Sequence, residues 1–290
     1  MKILVTGANG FIGQRLSLYL IEHGHHVVGL SLQSPLNPSL KFKGFYQQDI
    51  TKPFLLKDHF DYVIHLAAYN ITHVGNQDQS LYNAHNVEGT KHLLRAVRTN
   101  KFIYLSTAKV YKNEGQPLLE SSPLLPQGAY AQSKLKAEEE CRSFLKEKAL
   151  VILRSVNVLG WGQAPKAVLP VFFQKAKHNQ ALDIINVAQM PMQFIYVDDL
   201  IDAIGTIIGH ENVSGVFNVV HEETVTLEEL ARRVIQIMHS TSDLNIIKNS
   251  SEILFSPVNA GKIYQQLNWK AKTGLTRILE LYKDEYAKIV

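Results

Sequence analysis

The sequence predicts an α/β fold: a doubly wound parallel sheet with a smaller C-terminal α/β part. Three observations carry that prediction. Short, continuously apolar runs such as "KILVT" recur, as expected of strands covered on both faces. Stretches with apolar residues at helical spacing lie between them, and such alternation implies parallel strands with right-handed crossovers. A Gly-rich turn, "TGANGFIG", joins the first strand directly to the first helix.

Each element follows from its own pattern. "KILVT" is the first strand. In "FIGQRLSLYLIEHG", Phe11, Ile12, Leu16, Leu20 and Ile21 fall at helical spacing, and Gly24 closes the helix. "HVVGLSL" reads as the second strand, "GFYQQDI" as the third and "DYVIHLAA" as the fourth. A helix is predicted from Leu81 to Arg98, before a fifth strand, "KFIYLST". Another helix opens in "GAYAQSKLKAEEE" and leads to a sixth strand, "ALVILRSVNV". After Asn157 the pattern loosens. "GWGQAP" reads as loop, "AVLPVFFQKAKHN" as a helix with Pro170 near its start, and "ALDIINV" and "QFIYV" as strands. "VDDLIDAIGTIIGH" is a helix whose positive end suits Asp198 and Asp199. "GVFNVV" is a strand. Thr226 caps the helix in "TVTLEELARRVIQIMH", with Glu229 placed to complete a capping box. "NAGKIYQQLNW" and "GLTRILELYKDEY" give two last helices.

Composition narrows the function classes. With 290 residues, 46% of them hydrophobic, the chain can bury one large core or two small ones. Charged residues make up 19%, which argues against disorder. The net charge of +4 is scattered along the chain, so no nucleic-acid partner is expected. The single cysteine, Cys141, excludes an internal disulfide and fits a cytoplasmic setting. A partly buried structural thiol is expected there, not a nucleophile. The N-terminus is apolar for too few residues to be a signal peptide, and no later run is long enough to span a bilayer, so no membrane contact is expected. The 12 histidines form no ligand set, and no metal is expected. His23, His25 and His26 suit the negative end of the first helix. His65 reads as strand packing.

Two constellations carry chemistry. In the turn, Gly7 permits tight bending, Gly10 lets backbone approach a pyrophosphate, and Gly13 lets helix and strand pack closely. Free N–H groups at the helix start would meet the phosphate charge. A turn without a ligand is the plainer alternative, but the flanking strand and helix favour the binding role. Tyr130 and Lys134, four residues apart, share one helical face. A phenol is a poor base at neutral pH, and a neighbouring ammonium favours its phenolate. Such a pair can move a proton on or off a carbinol oxygen while hydride moves at the carbon. Alone it would be surface decoration; the glycine turn and the Ser106–Thr107 pair argue for chemistry. Glu138, Glu139 and Glu140 are expected to face water.

The glycine spacing, one residue longer than the usual dinucleotide fingerprint, together with "YAQSK" resembles the short-chain dehydrogenase/reductase superfamily. Further segments narrow the resemblance to its extended branch, the NAD-dependent epimerase/dehydratase family. They are "QDIT", "HLAAY", "NVEGT", "YLSTAKVY", "ILRSVNVLGWG" and "FIYVDDL", in that order and across nearly the whole chain. The resemblance implies a Rossmann-type NAD(P)-binding domain over 1–157 with returning segments near 186–212. It implies a smaller α/β substrate domain from 158–185 and 213–290. NAD or NADP is the implied cofactor, and a nucleotide sugar the implied small-molecule substrate.

The resemblance also assigns residues. Thr107, Tyr130 and Lys134 take the catalytic places, with Lys134 reaching the nicotinamide ribose. Ser106, the adjacent hydroxyl, would point to the opposite face of the strand. Cofactor contacts are expected from Gly7, Gly10, Phe11, Ile12, Gly13, Ser31, Asp49, Ile50, Leu66, Ala67, Ala68, Asn86 and Val156, besides Tyr130 and Lys134. Substrate contacts are expected from Thr107, Asn157, Ala167, Val168 and Gln193. A homodimer through the Leu81–Arg98 helix and the Tyr130 helix is a further implication.

Four departures bear on function. Ser31 stands where NAD users place an acid for the adenosine ribose. Nothing there repels a 2′-phosphate, which favours NADP, yet no arginine follows and Lys41 and Lys43 are distant. The choice stays open. Ala108 and Lys109 replace the acids that dehydratases carry after the catalytic Thr, which disfavours dehydration. Met192 and Gln193 stand where an arginine often grips the pyrophosphate. Ala167 replaces a frequent Asn; Lys166, Lys248 or Arg277 could grip instead, or the substrate could lack a diphosphate. The leading reading is hydride transfer at a sugar carbinol, either C4 epimerisation or 4-keto reduction. The alternatives are a non-enzymatic dinucleotide-sensing module and a reductase of a non-nucleotide carbonyl compound.

Overall fold

Seven parallel strands organise the protein, in a computed structural model that describes residues 1–70, 78–185, 191–247 and 254–288. In chain order the strands are β1 (Lys2–Thr6), β2 (His26–Ser31), β3 (Gly44–Gln47), β4 (His59–His65), β5 (Arg98–Thr107), β6 (Leu150–Ser155), β7 (Asn157–Leu159), β8 (Leu182–Ile185), β9 (Pro191–Tyr196), β10 (Gly215–Val219), β11 (Thr224–Thr226) and β12 (Leu244–Ile247). The central sheet runs β10-β6-β5-β4-β1-β2-β3, with every pair parallel. The apolar runs read from the sequence are these strands: Ile3, Leu4, Val5, Val63, Ile64, Phe102 and Ile103 are fully buried.

The α-helices are α1 (Phe11–Glu22), α2 (Gln79–Tyr82), α3 (Gly89–Ala96), α4 (Gly128–Phe144), α5 (Val168–Lys177), α6 (Val197–Ile208), α7 (Leu227–Ile237), α8 (Gly261–Leu267) and α9 (Leu275–Ala287). Leu16 and Leu20 of α1 and Leu200, Ile204 and Ile207 of α6 cover one face of the sheet, in a core that continues into α5, α7 and α9. Leu93 and Leu94 of α3 and Ala137 and Cys141 of α4 cover the other. Cys141 is completely buried, deeper than expected.

Two small sheets complete the chain. β7, β9 and β11 form one; β8 and β12 form the other. The predicted sixth strand therefore splits at Val156. Leu150–Ser155 stays in the central sheet, while Asn157–Leu159 turns away to pair with Phe194–Tyr196. β10 returns from the C-terminal half and pairs with β6, residue for residue from Gly215↔Val151 to Val219↔Ser155. Pairing between such distant segments leaves no local mark in a sequence. Among the described residues no helix is long and apolar enough to cross a membrane.

Three local expectations are corrected. The single helix over 81–98 is α2, a π-helical stretch at Asn83–Glu88 and α3, and β5 already begins at Arg98. Such widened turns gather at functional sites; this one carries Asn86. Thr226 caps α7 as predicted, accepting from the Glu229 N–H, but the Glu229 carboxylate turns to Arg233. Glu138 does not face water. It is fully buried, held by Arg154 through Nε at 3.0 Å and Nη2 at 2.7 Å, by Ser106 Oγ at 2.5 Å and by Arg142 at 2.9 Å. Burial raises the affinity of this carboxyl for a proton, but its three donors outweigh that and hold its pKa below the usual value.

Candidate active site

The first half of the site is the turn between β1 and α1. Gly7 has φ +68°, and a Cβ there would stand 2.9 Å from the Ala67 nitrogen. A Cβ on Gly13 would stand 2.1 Å from the Gly7 carbonyl oxygen, so only glycine lets the helix lie on the turn. Gly10 is exposed and caps α1 without a side chain, and the first turn of α1 carries no acid. Backbone N–H groups thus face outward at the positive end of a 12-residue helix, which suits a pyrophosphate. Phe11 and Ile12 are half-buried beside it. The residues present fit a dinucleotide.

Loops at the strand ends continue the cradle. Asn9 donates to the carbonyls of Gln33 and Ser34 and accepts from the Leu36 N–H, pinning the segment after Ser31 to the glycine turn. Asp49 Oδ1 accepts from the Thr51 N–H at 2.9 Å and hydroxyl at 2.7 Å. Ile50 is buried against α3, where a Cβ on Gly89 would meet it at 2.9 Å. Leu66 and Ala67 are half-buried and Ala68 exposed along the end of β4. Lys41 and Lys43 are exposed on the approach to β3.

Beneath this strip runs a buried hydrogen-bond chain that joins β1, β4, α3 and α4. Thr90 Oγ1 donates its one proton to the Asn86 carbonyl at 2.6 Å. It must therefore accept from His65 Nε2, 3.0 Å away. Nδ1 of His65 is then the acceptor, taking the Thr6 hydroxyl proton at 2.7 Å. The network assigns His65 as a neutral Nε2–H tautomer. Burial, with Lys134 nearby, pushes its pKa down to about 3. Asn86 clamps the Tyr69 backbone through both ends of its amide and donates to Ser133, which donates to the Tyr130 carbonyl. Asn86, expected on the cofactor, has its amide engaged by protein.

His65 gives a pH prediction. Its folded pKa of about 3 lies below the ordinary 6.5, so between those values the unfolded chain binds more protons. This contribution lowers stability as pH falls through 6.5 towards 3. His65→Gln should flatten the acid limb of a urea-unfolding pH series; an unchanged limb would show that His65 does not set it.

The second half of the site lies at the end of β5. Thr107 is buried, and its hydroxyl lies close enough to the half-buried Tyr130 phenol to favour the phenolate. Ser106 points to the opposite face and to Glu138, as the strand alternation requires. Lys134 Nζ donates to the Leu105 carbonyl at 2.5 Å and lies 4.2 Å from the Tyr104 ring centre. Burial drives its pKa down to about 7, against the opposing pull of Glu138. The expected lowering of the phenol by Lys134 is not what dominates. Burial pushes Tyr130 up to about 12, and the Thr107 hydroxyl only partly offsets it. The structure thus brings Thr107, Tyr130 and Lys134 to one place, with Tyr130 as a neutral phenol at pH 7.

The expected substrate residues are less uniform. Val156 is half-buried and Asn157 exposed where the chain passes from β6 to β7. Ala167 caps α5 and Val168 opens it; this helix start has neither side-chain cap nor acid. Gln193 is buried and its amide is engaged at both ends by the Val258 backbone. Lys166 is exposed, Arg277 pairs with Glu280, and Lys248 lies outside the described residues.

Reasoning from sequence missed Thr6, Asn9, Thr90, Ser133 and the Glu138–Arg154 pair. Only the last had a signal of its own. Glu138 lies four residues beyond Lys134, on the same inward helical stripe, whereas Glu139 does not.

A family model for the NAD dependent epimerase/dehydratase family matches residues 3–219. A dTDP-D-glucose 4,6-dehydratase of Dictyostelium discoideum is 31% identical over 271 residues, covering 81% of this chain and 62% of that protein. A dTDP-D-glucose 4,6-dehydratase of Bos taurus is 28% identical, covering 98% and 89%. Among solved structures, a UDP-glucuronic acid 4-epimerase from Bacillus cereus, in complex with UDP-glucuronic acid and NAD, superposes with a TM-score of 0.88. It is 27% identical and the match covers all of both chains.

Proposed function

The chain belongs to the NAD-dependent epimerase/dehydratase family, and from that premise we propose that it inverts C4 of a nucleotide sugar by hydride transfer. The observation that carries this reading is the pair of neighbouring Thr107 and Tyr130 hydroxyls at the end of β5, with Lys134 one helical turn on. Tyr130 would take the C4 hydroxyl proton as hydride leaves C4, and would return a proton to the 4-keto oxygen as hydride comes back to the other face of C4, with Thr107 holding the oxygen. The phenol is costly to ionise where it lies, so the charge of Lys134 and of the bound ligands must support the phenolate.

NAD or NADP, when bound, supplies the hydride acceptor. Gly10 and the start of α1 would hold its pyrophosphate, Asp49 and Ile50 its adenine, and Leu66, Ala67 and Ala68 its length. Ser31, in place of an acid, favours admission of a 2′-phosphate. Ala108 and Lys109 provide no acid for proton work beside C4, which sets the chain apart from a dehydratase. The start of α5 at Ala167 and Val168 would face the substrate diphosphate. A cytoplasmic homodimer through α3 and α4, which lie side by side, belongs to the same reading.

A second reading, 4-keto reduction, is favoured by Ser31, because a reductase needs a dissociable NADPH. Incubating the protein with NAD and a UDP-hexose, and following C4 configuration by NMR, separates the two. Inversion without net change of dinucleotide is expected. Stoichiometric consumption of NADPH by a 4-keto sugar, with no inversion, would favour the reductase.

A further inference from the structure

The last residues of β5 each meet α4 at a different place. Thr107 lies beside the Tyr130 phenol. The Leu105 carbonyl accepts from Lys134 Nζ at 2.5 Å. Ser106, between them, donates its hydroxyl proton to Glu138 Oε1 at 2.5 Å. Tyr130, Lys134 and Glu138 follow one another at four-residue spacing and form one stripe along α4. The first two contacts involve groups of the proposed chemistry. The third does not, although it is buried as deeply: Ser106 is 3% exposed and Glu138 fully buried.

The Ser106–Glu138 bond sits where the sheet holds β5 least. On the β4 side the pairing of β5 stops at His65↔Tyr104. Leu105, Ser106 and Thr107 therefore pair with β6 alone, up to Thr107↔Ser155. Beyond Thr107 the chain leaves the sheet for the one-turn helix Ala108–Val110. Glu138 closes this gap from above. Besides Ser106 it takes Nε and Nη2 of Arg154, on β6, and Nη2 of Arg142, on α4. One carboxylate thus ties the helix that carries Tyr130 to two neighbouring strands. A hydroxyl–carboxylate bond of this kind is short, strong and directional. Such a joint matters for chemistry because a misplacement of about 1 Å can cost on the order of 100-fold in rate.

We propose that Ser106 is a positioning residue for hydride transfer: through its bond to Glu138 it holds the end of β5 in register with α4, so that the Thr107 hydroxyl stays beside the Tyr130 phenol. That role presupposes the C4 reading above, in which those two hydroxyls handle the substrate oxygen. Ser106 itself is turned away from Thr107 and lies under α4. Removing its hydroxyl strands no charge, because Arg154 and Arg142 keep the Glu138 carboxylate paired.

The whole protein is assayed with NAD and with UDP-glucose and UDP-glucuronic acid, following C4 inversion. Ser106→Ala should lower kcat about 10- to 100-fold. KM for the sugar and Kd for NAD should stay within about two-fold of the parent, since no binding contact is removed. Ser106→Thr, which keeps the hydroxyl, should recover most of the lost kcat. Crystal structures of parent and Ser106→Ala should show the Thr107 and Tyr130 hydroxyls further apart in the variant. A kcat for Ser106→Ala within about two-fold of the parent, an equal loss in the Ala and Thr variants, or an unchanged separation of the two hydroxyls would overturn the proposal and leave the C4 reading intact. Inversion of neither sugar by the parent protein would overturn both. Should Ser106→Ala fail to fold, Ser106→Cys, with a thiol that is a much weaker donor, gives the same comparison.

Discussion

Tyr130→Phe should reduce turnover by roughly 10²- to 10⁴-fold, the usual contribution of one positioned acid–base group, while dinucleotide affinity stays nearly unchanged. The phenol is the group placed to exchange a proton with the substrate oxygen, and its hydroxyl lies beside that of Thr107. Its ring packs edge-on to Tyr82, 6.2 Å between centres, and Phe keeps that contact. The dinucleotide contacts proposed for the glycine turn lie on another element, so binding should survive. Steady-state kinetics and a dinucleotide titration on the same preparation check both halves. Turnover within a few-fold of the parent would remove Tyr130 from the mechanism.

The second large effect is on stability. Glu138→Gln should destabilise the protein by about 3–5 kcal/mol, the cost of stranding one member of a buried ion pair. Arg154 is 1% exposed and its Nη1 already lacks a hydrogen-bond partner among the described residues. Removing the carboxylate leaves that guanidinium uncompensated, whereas Arg142, at 40% exposed, can turn to water. The exposed pair Arg277–Glu280 offers the control: exposed pairs contribute about 0–1 kcal/mol. Urea unfolding should show a large loss for Glu138→Gln and almost none for Arg277→Gln. The double change Glu138→Leu with Arg154→Met should regain much of the loss, because replacing both charges removes the stranded one. A loss under about 1 kcal/mol in the single variant would refute this account of the pair.

The parts of the molecule that depend on near neighbours were legible in the sequence. The apolar runs, the glycine turn and the Tyr130–Lys134 spacing each carry their meaning within a few residues, and the structure places them as read. What was hidden depends on distant segments. Nothing local announces that β10 pairs with β6, or that the chain changes sheets at Val156. Gln193 looked free to meet a substrate until the Val258 backbone closed on both ends of its amide. Asn86 likewise looked like a ligand contact before its partners in Tyr69 and Ser133 were known. Glu138 is different. The helical period that united Tyr130 with Lys134 also carries Glu138 inward, but three consecutive glutamates suggested a solvated face. The phenol shows a further limit: spacing gives the neighbour, while burial, which the spacing does not report, sets the direction of the pKa shift.

Hydride movement at C4 is the central claim, and the fate of a deuterium at C4 tests it most directly. UDP-glucuronic acid deuterated at C4 is incubated with the NAD-loaded protein, and the product is read by NMR. The sugar should emerge inverted at C4 with its deuterium still on that carbon. Inversion with deuterium lost to water, or recovery of the substrate unchanged alongside unchanged UDP-glucose, would contradict it.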